Sequence, residues 1–359
     1  MRSLAERLAA SGHAVTYLTR LQWSPGDEPD IAGVRVIAVS PRDELYGANG
    51  QRRIAPPLRF GLGVLRHFLR KRREYDAVHT CAFPYFSLLA ARSALAGTAV
   101  PIGVDWFEVW SHQYWTRYLG RVGGSIGWAV QRLCVLATPK AFVFSELHGK
   151  RLREEGLRSE PVRLGGLYEP EAARHPRRSA DAPLVVFAGR HIAEKRAAAV
   201  PAAVQSTRRR IQSVRGLILG DGPERPKVLE AIAALDAGDF ISAPGFVSAE
   251  EVREALATAS CLLLPSSREG YGLVVIEAAA AGTPSVVVAG RDNAAVELVE
   301  DGVNGFVAPS EASEVIADAI VRCIEGGPSL RTSTAAWFAR RAPELSLSRS
   351  AERLLAEYE

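Results

Sequence analysis

Cysteine is scarce in this sequence of 359 residues, and the four that occur are far apart. They are Cys81, Cys134, Cys261 and Cys323. None has the spacing of metal ligands, and most lie in apolar segments, so we expect reduced thiols inside a core and no disulfide framework. This pattern indicates a protein of the cytoplasm.

The sequence also lacks a long apolar run without charge. Its longest apolar stretches are interrupted by Arg132, Lys140 or Glu277, and no signal peptide is recognisable, so no membrane span is expected. Aromatic residues make up 8% of the chain, whereas apolar residues make up 47%. At this length the apolar fraction suffices for two cores, which predicts a globular protein of two domains.

A complete dinucleotide fingerprint is absent as well. GLGVLR (61–66) and GDGPER (220–225) each lack the final glycine of G-x-G-x-x-G. A nicotinamide-dependent oxidoreductase is therefore a weak hypothesis for this chain.

The charge is nearly balanced overall but uneven along the chain. The net charge is +4, with 23 basic and 14 acidic residues in 1–164 and 21 basic and 26 acidic residues in 165–359. The densest basic run is LRHFLRKRRE (65–74). As a helix it would place apolar side chains near one face beside basic ones, namely Leu65, Phe68 and Leu69 beside Arg66, Arg70, Lys71, Arg72 and Arg73.

Two interpretations of residues 65–74 stay open. Such a helix is suited to an anionic membrane surface or to a lipid-phosphate acceptor, and the protein would then be peripheral at the inner face of the membrane. A solvated helix face is the commoner structure. Nucleic acid is not an expected partner, because the positive charge is compensated elsewhere and no recognition motif accompanies it.

Two glutamates within residues 262–288 give the strongest indication of chemistry. Residues 262–264 are typical of a buried strand and residues 272–281 of a helix, so Glu269 lies in the loop between them and Glu277 lies inside the helix. An unpaired carboxylate on so apolar a helix would be costly, which predicts a polar partner for Glu277. A capped helix with one internally paired glutamate is the alternative.

The loop before this helix predicts an anion site. At a helix N-terminus the dipole favours phosphate, and the loop offers free backbone amides there, those of Gly270, Tyr271, Gly272 and Leu273. A second loop supplies cations, because the predicted strand 184–188 is followed by Arg190 and Lys195. Ligands bind at the carboxyl ends of parallel strands, and both side chains can bind phosphate oxygens there.

Five motifs occur in the order found in retaining glycosyltransferases of family 4, and the chain resembles this family between residues 189 and 309. The motifs are GRHIAEK (189–195), LILGDGPER (217–225), APGFVSAEEV (243–252), PSSREGYGLVVIEAAAAGTP (265–284) and EDGVNGFVAP (300–309). The resemblance implies the α/β fold named GT-B, in which two Rossmann-like doubly wound parallel-sheet domains face each other across a cleft.

The resemblance also implies roles for the residues in these motifs. Arg190 and Lys195 would bind the diphosphate of a nucleotide-sugar donor, and the amides of residues 270–273 would assist them. Glu269 would contact the transferred sugar, while Glu277 would hold the ribose hydroxyls. The main chain near Phe246 and Val247 would border the base. The other implied donor-binding residues are Gly270, Tyr271, Gly272 and Leu273.

These residue types suit glycosyl transfer, and the resemblance implies that the transfer retains the anomeric configuration. Cleavage of a glycosyl–phosphate bond leaves negative charge on the nucleoside diphosphate, which Arg190 and Lys195 would stabilise. In this family Glu269 would orient the sugar and would not act as a nucleophile. The chain contains no Asp-x-Asp pair, which argues against a metal-bridged donor site, and no cofactor besides the donor substrate is expected.

Alternating strands and helices predict a doubly wound parallel sheet in each half of the chain. The expected domains are an acceptor-side domain over residues 1–164, a nucleotide-sugar domain over 165–335, and a C-terminal helix over 336–359 that returns to the first domain. The linker is expected within residues 164–183, which contain several Gly and Pro residues. Compared with the family, a first strand and a glycine-rich loop are expected before Met1.

The loop after the predicted strand 100–105 is a candidate acceptor site. Aromatic rings with two carboxylates are suited to a sugar or lipid acceptor, and the candidate residues are Asp105, Phe107, Glu108 and His112. Family members commonly have a histidine in this loop, but the matching position here is Phe107, with His112 nearby as a substitute. An aromatic-rich domain interface is the alternative interpretation.

Two hypotheses about function stay open. The first is a retaining hexosyl- or glycosyltransferase that uses a nucleotide-sugar donor and an unidentified acceptor, which the four residues Arg190, Lys195, Glu269 and Glu277 favour. The second is a catalytically silent module that binds nucleotides or sugars, which Phe107 favours.

Overall fold

The computed structural model describes residues 1–44, 53–169 and 182–358. The chain divides into two compact units, of which unit 1 comprises Met1–Gly166 and Leu347–Glu359 and unit 2 comprises Leu167–Ser346. The predicted linker 164–183 lies partly outside the described residues. The domain limits stated from the sequence stay predictions.

Unit 1 is built from alternating helices and parallel strands. In chain order they are α1 (Arg2–Ala10), β1 (Val15–Arg20), β2 (Val34–Ser40), α2 (Ala55–Lys71), β3 (Val78–Cys81), α3 (Tyr85–Ala94), β4 (Ile102–Trp106), α4 (His112–Ala137), β5 (Lys140–Val143), α5 (Glu146–Glu154) and β6 (Val162–Arg163). The strands pair in the orders β1-β2 and β3-β4-β5-β6. Between these two sheets no strand pairing is found among the described residues.

Unit 2 continues the alternation. Its elements are β7 (Leu184–Ala188), α6 (Val200–Arg208), β8 (Arg215–Leu219), α7 (Arg225–Ala234), β9 (Ile241–Gly245), α8 (Ala249–Thr258), β10 (Cys261–Leu264), β11 (Arg268–Glu269), α9 (Leu273–Ala280), β12 (Ser285–Val288), β13 (Asp292–Asn293), β14 (Gly305–Ala308) and α10 (Ser313–Leu345). The last helix of the chain, α11 (Leu347–Ala356), belongs to unit 1.

Six strands of unit 2 form one parallel sheet in the order β14-β12-β10-β7-β8-β9. The chain starts at β7, proceeds outward through β8 and β9, and then returns to the other side of β7 with β10. The strand order therefore reverses between β7 and β10. In doubly wound sheets, ligands bind at the carboxyl ends of the strands beside such a reversal.

Central strands of this sheet are apolar throughout because helices cover both of its faces. β10 and β12 are fully buried, and β7 is buried except at its first residue. The structure confirms the predicted parallel α/β class, with β7 at 184–188, β10 containing the predicted strand 262–264, and α9 lying inside the predicted helix 272–281.

Several helices have a serine at the N-cap, a position where serine is among the favoured residues. Ser248 is the N-cap of α8: its hydroxyl accepts from the Glu251 amide at 3.2 Å, and the Glu251 carboxylate accepts from the Ser248 amide at 2.8 Å. This reciprocal pair satisfies two amides that have no partner within the helix. Ser111 and Ser145 likewise accept from the third amides of α4 and α5.

A search of the described residues for a membrane-crossing helix, one of sufficient length with few charges and high hydropathy, found none.

Candidate functional site

The two predicted cations lie at the carboxyl end of β7, beside the reversal of strand order. Lys195 ends a short 3-10 helix that follows this strand, and its Nζ lies 2.6 Å from Oε1 of Glu269. Arg190 is exposed, and its side chain has no hydrogen bond or ion pair with any other described residue. Of the two cations, Lys195 is paired with a carboxylate, whereas the guanidinium of Arg190 has no partner among the described residues.

Glu269 lies at the end of β11, in the loop that follows β10. It is only 5% exposed, and its Oε1 accepts from the Lys195 ammonium and, at 2.7 Å, from the hydroxyl of Ser266. The structure therefore brings together a cation and an acid that are distant in the sequence, because β7 and β10 are neighbours in the sheet. Ser266 was not among the predicted residues; its position three residues before Glu269 was the available signal.

Further contacts join the two loops that carry this pair. The carbonyl of Glu194 accepts from the amide of Ser267 at 2.8 Å, and the carboxylate of Glu194 pairs with Arg268 at 3.2 Å. Asn293 is buried and donates to the carbonyls of Ser266 and Val288 at 3.1 and 2.8 Å. Because these contacts join the two loops to each other and to β12, they position Lys195 and Glu269 without a bound ligand.

The N-terminus of α9 opens beside Glu269. Gly272 is its N-cap, with φ +97° and no side-chain cap, and a Cβ at this position would lie 2.7 Å from Cβ of Ala295. Only glycine satisfies both the left-handed backbone and this close approach. The first amides of the helix have no intrahelical acceptor, so the anion site at Gly270, Tyr271, Gly272 and Leu273 stays a prediction that this geometry favours.

Glu277 has no hydrogen-bonding partner among the described residues, so the predicted polar partner is not supplied by this part of the chain, and the ribose role stays a prediction. The charged group that acts on its carboxylate is Arg253. Burial raises the pKa of Glu277 above its ordinary value, and Arg253 opposes this in part. A half-buried carboxylate without a partner is suited to a ligand that donates hydrogen bonds, since such a ligand would offset the cost of its burial.

Phe246 and Val247 follow β9, the edge strand on the β8 side of the sheet. Phe246 is 85% exposed, although an aromatic ring of this size gains from burial. Arg225 supports the turn by donating to the carbonyl of Ala243 at 3.0 Å. The turn lies at the carboxyl end of β9, and the predicted contact of its main chain with a base stays a prediction.

In unit 1, the predicted acceptor residues have protein partners. Asp105 is 2% exposed, and its Oδ1 lies 3.0 Å from Nε2 of His79. Nδ1 of His79 is hydrogen-bonded to the Tyr358 hydroxyl at 2.7 Å. Asp105 therefore belongs to a buried polar chain that connects β3 and β4 to the residues following α11.

Glu108 and His112 contact tryptophans. The carboxylate of Glu108 accepts from the Trp110 indole at 2.8 Å. His112 is exposed at the start of α4, and its ring lies 5.2 Å from that of Trp128 in an edge-on arrangement. The aromatic residues of this loop thus pack within unit 1, and the acceptor roles of Asp105, Glu108 and His112 stay predictions.

Comparison with known families covers nearly the whole chain. A model of the Glycosyl transferase 4-like domain matches residues 1–167, and a model of Glycosyl transferases group 1 matches residues 169–336. The chain belongs to glycosyltransferase family 4.

One curated relative of this chain is the alpha-D-kanosaminyltransferase of Streptomyces kanamyceticus. It is 32% identical over 179 residues, which is 50% of this chain and 46% of the relative. The D-inositol 3-phosphate glycosyltransferase of Streptomyces griseus is 33% identical over 175 residues, 46% of this chain and 37% of the relative. The matches thus span less than half the length of these curated relatives.

Solved structures show the same fold over almost the full chain. Sucrose-phosphate synthase from Thermosynechococcus elongatus superposes with a TM-score of 0.79 at 20% identity, covering 99% of this chain and 91% of that one. Anabaena HepE, solved with UDP and glucose, superposes with a TM-score of 0.71 at 16% identity, covering 99% and 94%. The fold of this family 4 chain is therefore GT-B, with two Rossmann-like units, as the sequence predicted.

Phe107 is where this family 4 chain departs from the pattern expected in the loop after β4. Its ring is half-buried and stacks on Phe144, with centroids 4.9 Å apart and planes within 2°. A phenyl ring has neither a donor nor an acceptor for hydrogen bonds. Any polar contact that a histidine would make at this position must come from another residue.

Proposed function

We propose that this protein transfers a sugar from a nucleotide-diphosphate sugar to an acceptor with retention of anomeric configuration. The observation that carries the proposal is the contact of Lys195 with Glu269 at the reversal of strand order, beside the unengaged Arg190. A cation next to an acid is suited to a ligand that joins a diphosphate to a sugar hydroxyl. Arg190 and Lys195 take the place that a metal ion has at donor sites with an Asp-x-Asp pair, which this sequence lacks.

In the proposed reaction, the bond between the anomeric carbon and the phosphate oxygen breaks, and its electron pair stays on the nucleoside diphosphate. Arg190, Lys195 and the amides at the start of α9 stabilise this developing charge. The acceptor hydroxyl attacks the same face of the sugar, and its proton passes to the departing phosphate. Glu269 orients the sugar by accepting hydrogen bonds from its hydroxyls.

The remaining proposed donor contacts involve α9 and the turn after β9. Glu277 accepts hydrogen bonds from the ribose hydroxyls, which its unpartnered carboxylate favours. The exposed ring of Phe246 and the backbone of Val247 border the base at the β9 edge. HepE was solved with UDP, and UDP is for this reason the first nucleotide to test, followed by GDP.

Nucleotide competition tests the proposal. We expect UDP or GDP to bind the purified chain and NAD to bind weakly or not at all, and we expect slow hydrolysis of the matching nucleotide sugar without acceptor. Preferential binding of NAD would reject a sugar-nucleotide site. Tight binding of UDP or GDP with neither hydrolysis nor transfer would instead identify a catalytically silent binding module, the alternative that Phe107 favours.

Replacing Glu277 with glutamine is expected to stabilise the free protein while weakening nucleotide binding. Because burial raises the pKa of Glu277 in the folded state, the stability that its protonated form provides is present below the unfolded pKa and is lost as the pH rises through the folded pKa. Glutamine stays neutral, so the urea midpoint should exceed that of the wild type at about pH 7 and converge with it near pH 4.

The control for this variant is Glu230→Gln, since Glu230 is exposed on α7. It should change neither the urea midpoint nor nucleotide affinity. If Glu277→Gln left nucleotide affinity unchanged, Glu277 would not be a ribose ligand, whatever its effect on stability.

We also propose that the basic run 65–74 contacts an anionic membrane surface or a lipid-phosphate acceptor, which would make the protein peripheral to the inner face of the membrane. The apolar side chains that were expected on one face lie in two different environments. Phe68 is 5% exposed in the core of unit 1, whereas Leu69 is 58% exposed to solvent. Arg66, Arg70 and Arg73 are exposed. The outer side of α2 and the turn after it therefore carry the positive charge.

Replacing Arg70, Lys71, Arg72 and Arg73 with serine is expected to weaken binding to vesicles that contain phosphatidylglycerol. It should also flatten the decrease of binding with salt, because fewer charges are screened. Sedimentation with vesicles at low and high salt measures both effects. Unchanged sedimentation of the fourfold variant would remove residues 65–74 from the membrane contact.

A further inference from the structure

The second part of α4 has an exposed apolar stripe. α4 bends at Gly120, where φ is +76°, and residues 121–137 form its second helical part. Their exposed apolar residues alternate at spacings of four and three, and they are Val122, Ile126, Ala129, Leu133 and Leu136. The four larger side chains are exposed by 75%, 61%, 53% and 44%. Such spacing places all five on one side of the helix.

The opposite side of this helix is fixed in the core of unit 1. Cys134 and Val135 are fully buried. Gln131 is buried as well, and its Oε1 accepts from the indole of Trp115 at 3.1 Å and from the Tyr85 hydroxyl at 3.1 Å. The stripe is therefore not the core-facing side of the helix, because the opposite side already packs in the core of unit 1.

Within α4 itself every charged side chain is basic, although the carboxylate of Glu155, after α5, interacts with Arg132 and Trp128. The sequence between Val109 and Ser145 contains no Asp or Glu but contains Arg117, Arg121, Arg132 and Lys140. Arg121 and Arg132 are exposed on one flank, about 80–100° around the helix from the middle of the stripe. The guanidinium of Arg132 lies 5.5 Å from the ring centre of Trp128.

The positive charge of Arg121 and Arg132 beside the stripe favours an anionic partner. Two antiparallel copies of the helix packed stripe to stripe would bring Arg121 and Arg132 near the same arginines of the other copy, and α4 itself supplies no carboxylate between them. An anionic bilayer offers an apolar interior bordered by phosphates, which complements both parts of the surface. Tryptophan and arginine side by side at the border are typical of helices at that boundary.

We propose that residues 121–137 of α4 form a membrane-docking face that lies flat on a bilayer containing anionic lipids. The side chains of Val122, Ile126, Leu133 and Leu136 enter the boundary of the acyl chains, and Arg121 and Arg132 contact lipid phosphates. This surface is separate from the basic run of α2 and depends neither on that run nor on the transfer reaction, since binding is measured without any donor.

The test compares serine variants in vesicle sedimentation. With vesicles of equal parts phosphatidylglycerol and phosphatidylcholine, replacing Val122, Ile126, Leu133 and Leu136 together should weaken binding about tenfold or more, because exposed side chains lose their burial in the bilayer. Ile126→Ser alone should have a smaller effect. Leu229→Ser, which removes one exposed leucine from α7 in unit 2, is the matched control and should bind as the wild type does.

Other outcomes overturn the proposal. Binding of the fourfold variant equal to that of the wild type would exclude the stripe as a docking face. Equal wild-type binding to pure phosphatidylcholine vesicles would exclude the role of Arg121 and Arg132. If analytical ultracentrifugation showed a wild-type dimer that the fourfold variant cannot form, and no vesicle binding occurred, the face would belong to a second copy of this chain. Circular dichroism verifies that each variant is folded.

Discussion

Replacing Lys195 with alanine is expected to lower sugar transfer by about a hundredfold to a thousandfold, the effect of removing one preorganised donor from a developing anion. Lys195 is held by Glu269 at 2.6 Å, and its side chain is 21% exposed. The ammonium is thus positioned before the donor binds, and in the proposed complex it also contacts the diphosphate. Turnover of the matching nucleotide sugar measures the loss, and nucleotide affinity should decrease with it.

Glu269→Gln complements this variant. Glutamine keeps the shape of the side chain and its contact with Ser266, but it removes the charge that attracts Lys195. We expect a loss of turnover of similar size, about a hundredfold or more, with a smaller change in nucleotide affinity because the diphosphate ligands remain.

Lys227→Ala is the control for both variants. Lys227 lies on α7 in the same unit, is mostly exposed and pairs with Glu224 at 2.7 Å, so its replacement removes an exposed lysine that contacts neither Lys195 nor Glu269. It should retain wild-type turnover. Near-normal turnover of Lys195→Ala and Glu269→Gln, with folding verified by circular dichroism, would reject the assigned roles.

Replacing Arg331 with methionine is expected to destabilise unit 2 by at least about 3 kcal/mol, because each buried carbonyl left without a donor costs about 1–3 kcal/mol. Arg331 is 8% exposed on α10. Its guanidinium donates to carbonyls at the ends of two helices and to one hydroxyl, at 2.6 to 3.2 Å, namely those of Ala257, Ala259, Ala281 and Thr283. Burial lowers the pKa of Arg331, yet a guanidinium stays charged in proteins and complements the negative ends of helix dipoles.

Hydrogen exchange of residues 249–285 is the suitable measurement, because it reports on the two helices whose ends Arg331 contacts. Arg331→Lys should recover little stability, since an ammonium cannot reach four acceptors in the planar geometry of a guanidinium. Arg340→Met is the control, because Arg340 is exposed on the same helix. Equal exchange in Arg331→Met and wild type would show that α8 and α9 hold their ends without this contact.

Local patterns sufficed for most of the secondary structure. The apolar run that forms β10, the glycines at the start of α9 and the serine at the start of α8 each gave a signal within a few residues. The sequence indicated Glu277 as an unusual carboxylate for the same reason, since the residues around it are apolar. Its lack of a protein partner could not be predicted, because the side chains that pack near α9 come from other segments.

Side-chain contacts between distant segments of unit 1 also could not be predicted from the sequence. The stacking of Phe107 on Phe144 joins the loop after β4 to the segment after β5, and the contact of Asp105 with His79 joins β4 to β3. The exposed stripe of α4 differs in this respect: its spacing is visible in the sequence, but an apolar helical stripe usually faces a core. Only the structure shows that the other side of the helix is the buried one.

The sequence by itself determined the α/β class, the places of the central strands, and the residue types at the proposed donor site. These follow from interactions within a few residues, such as apolar periodicity, capping and turn formation. The contact of Lys195 with Glu269, by contrast, required the tertiary structure. β10 pairs with β7 although β8 and β9 lie between them in the chain, and this order is set by how the helices cover the whole sheet.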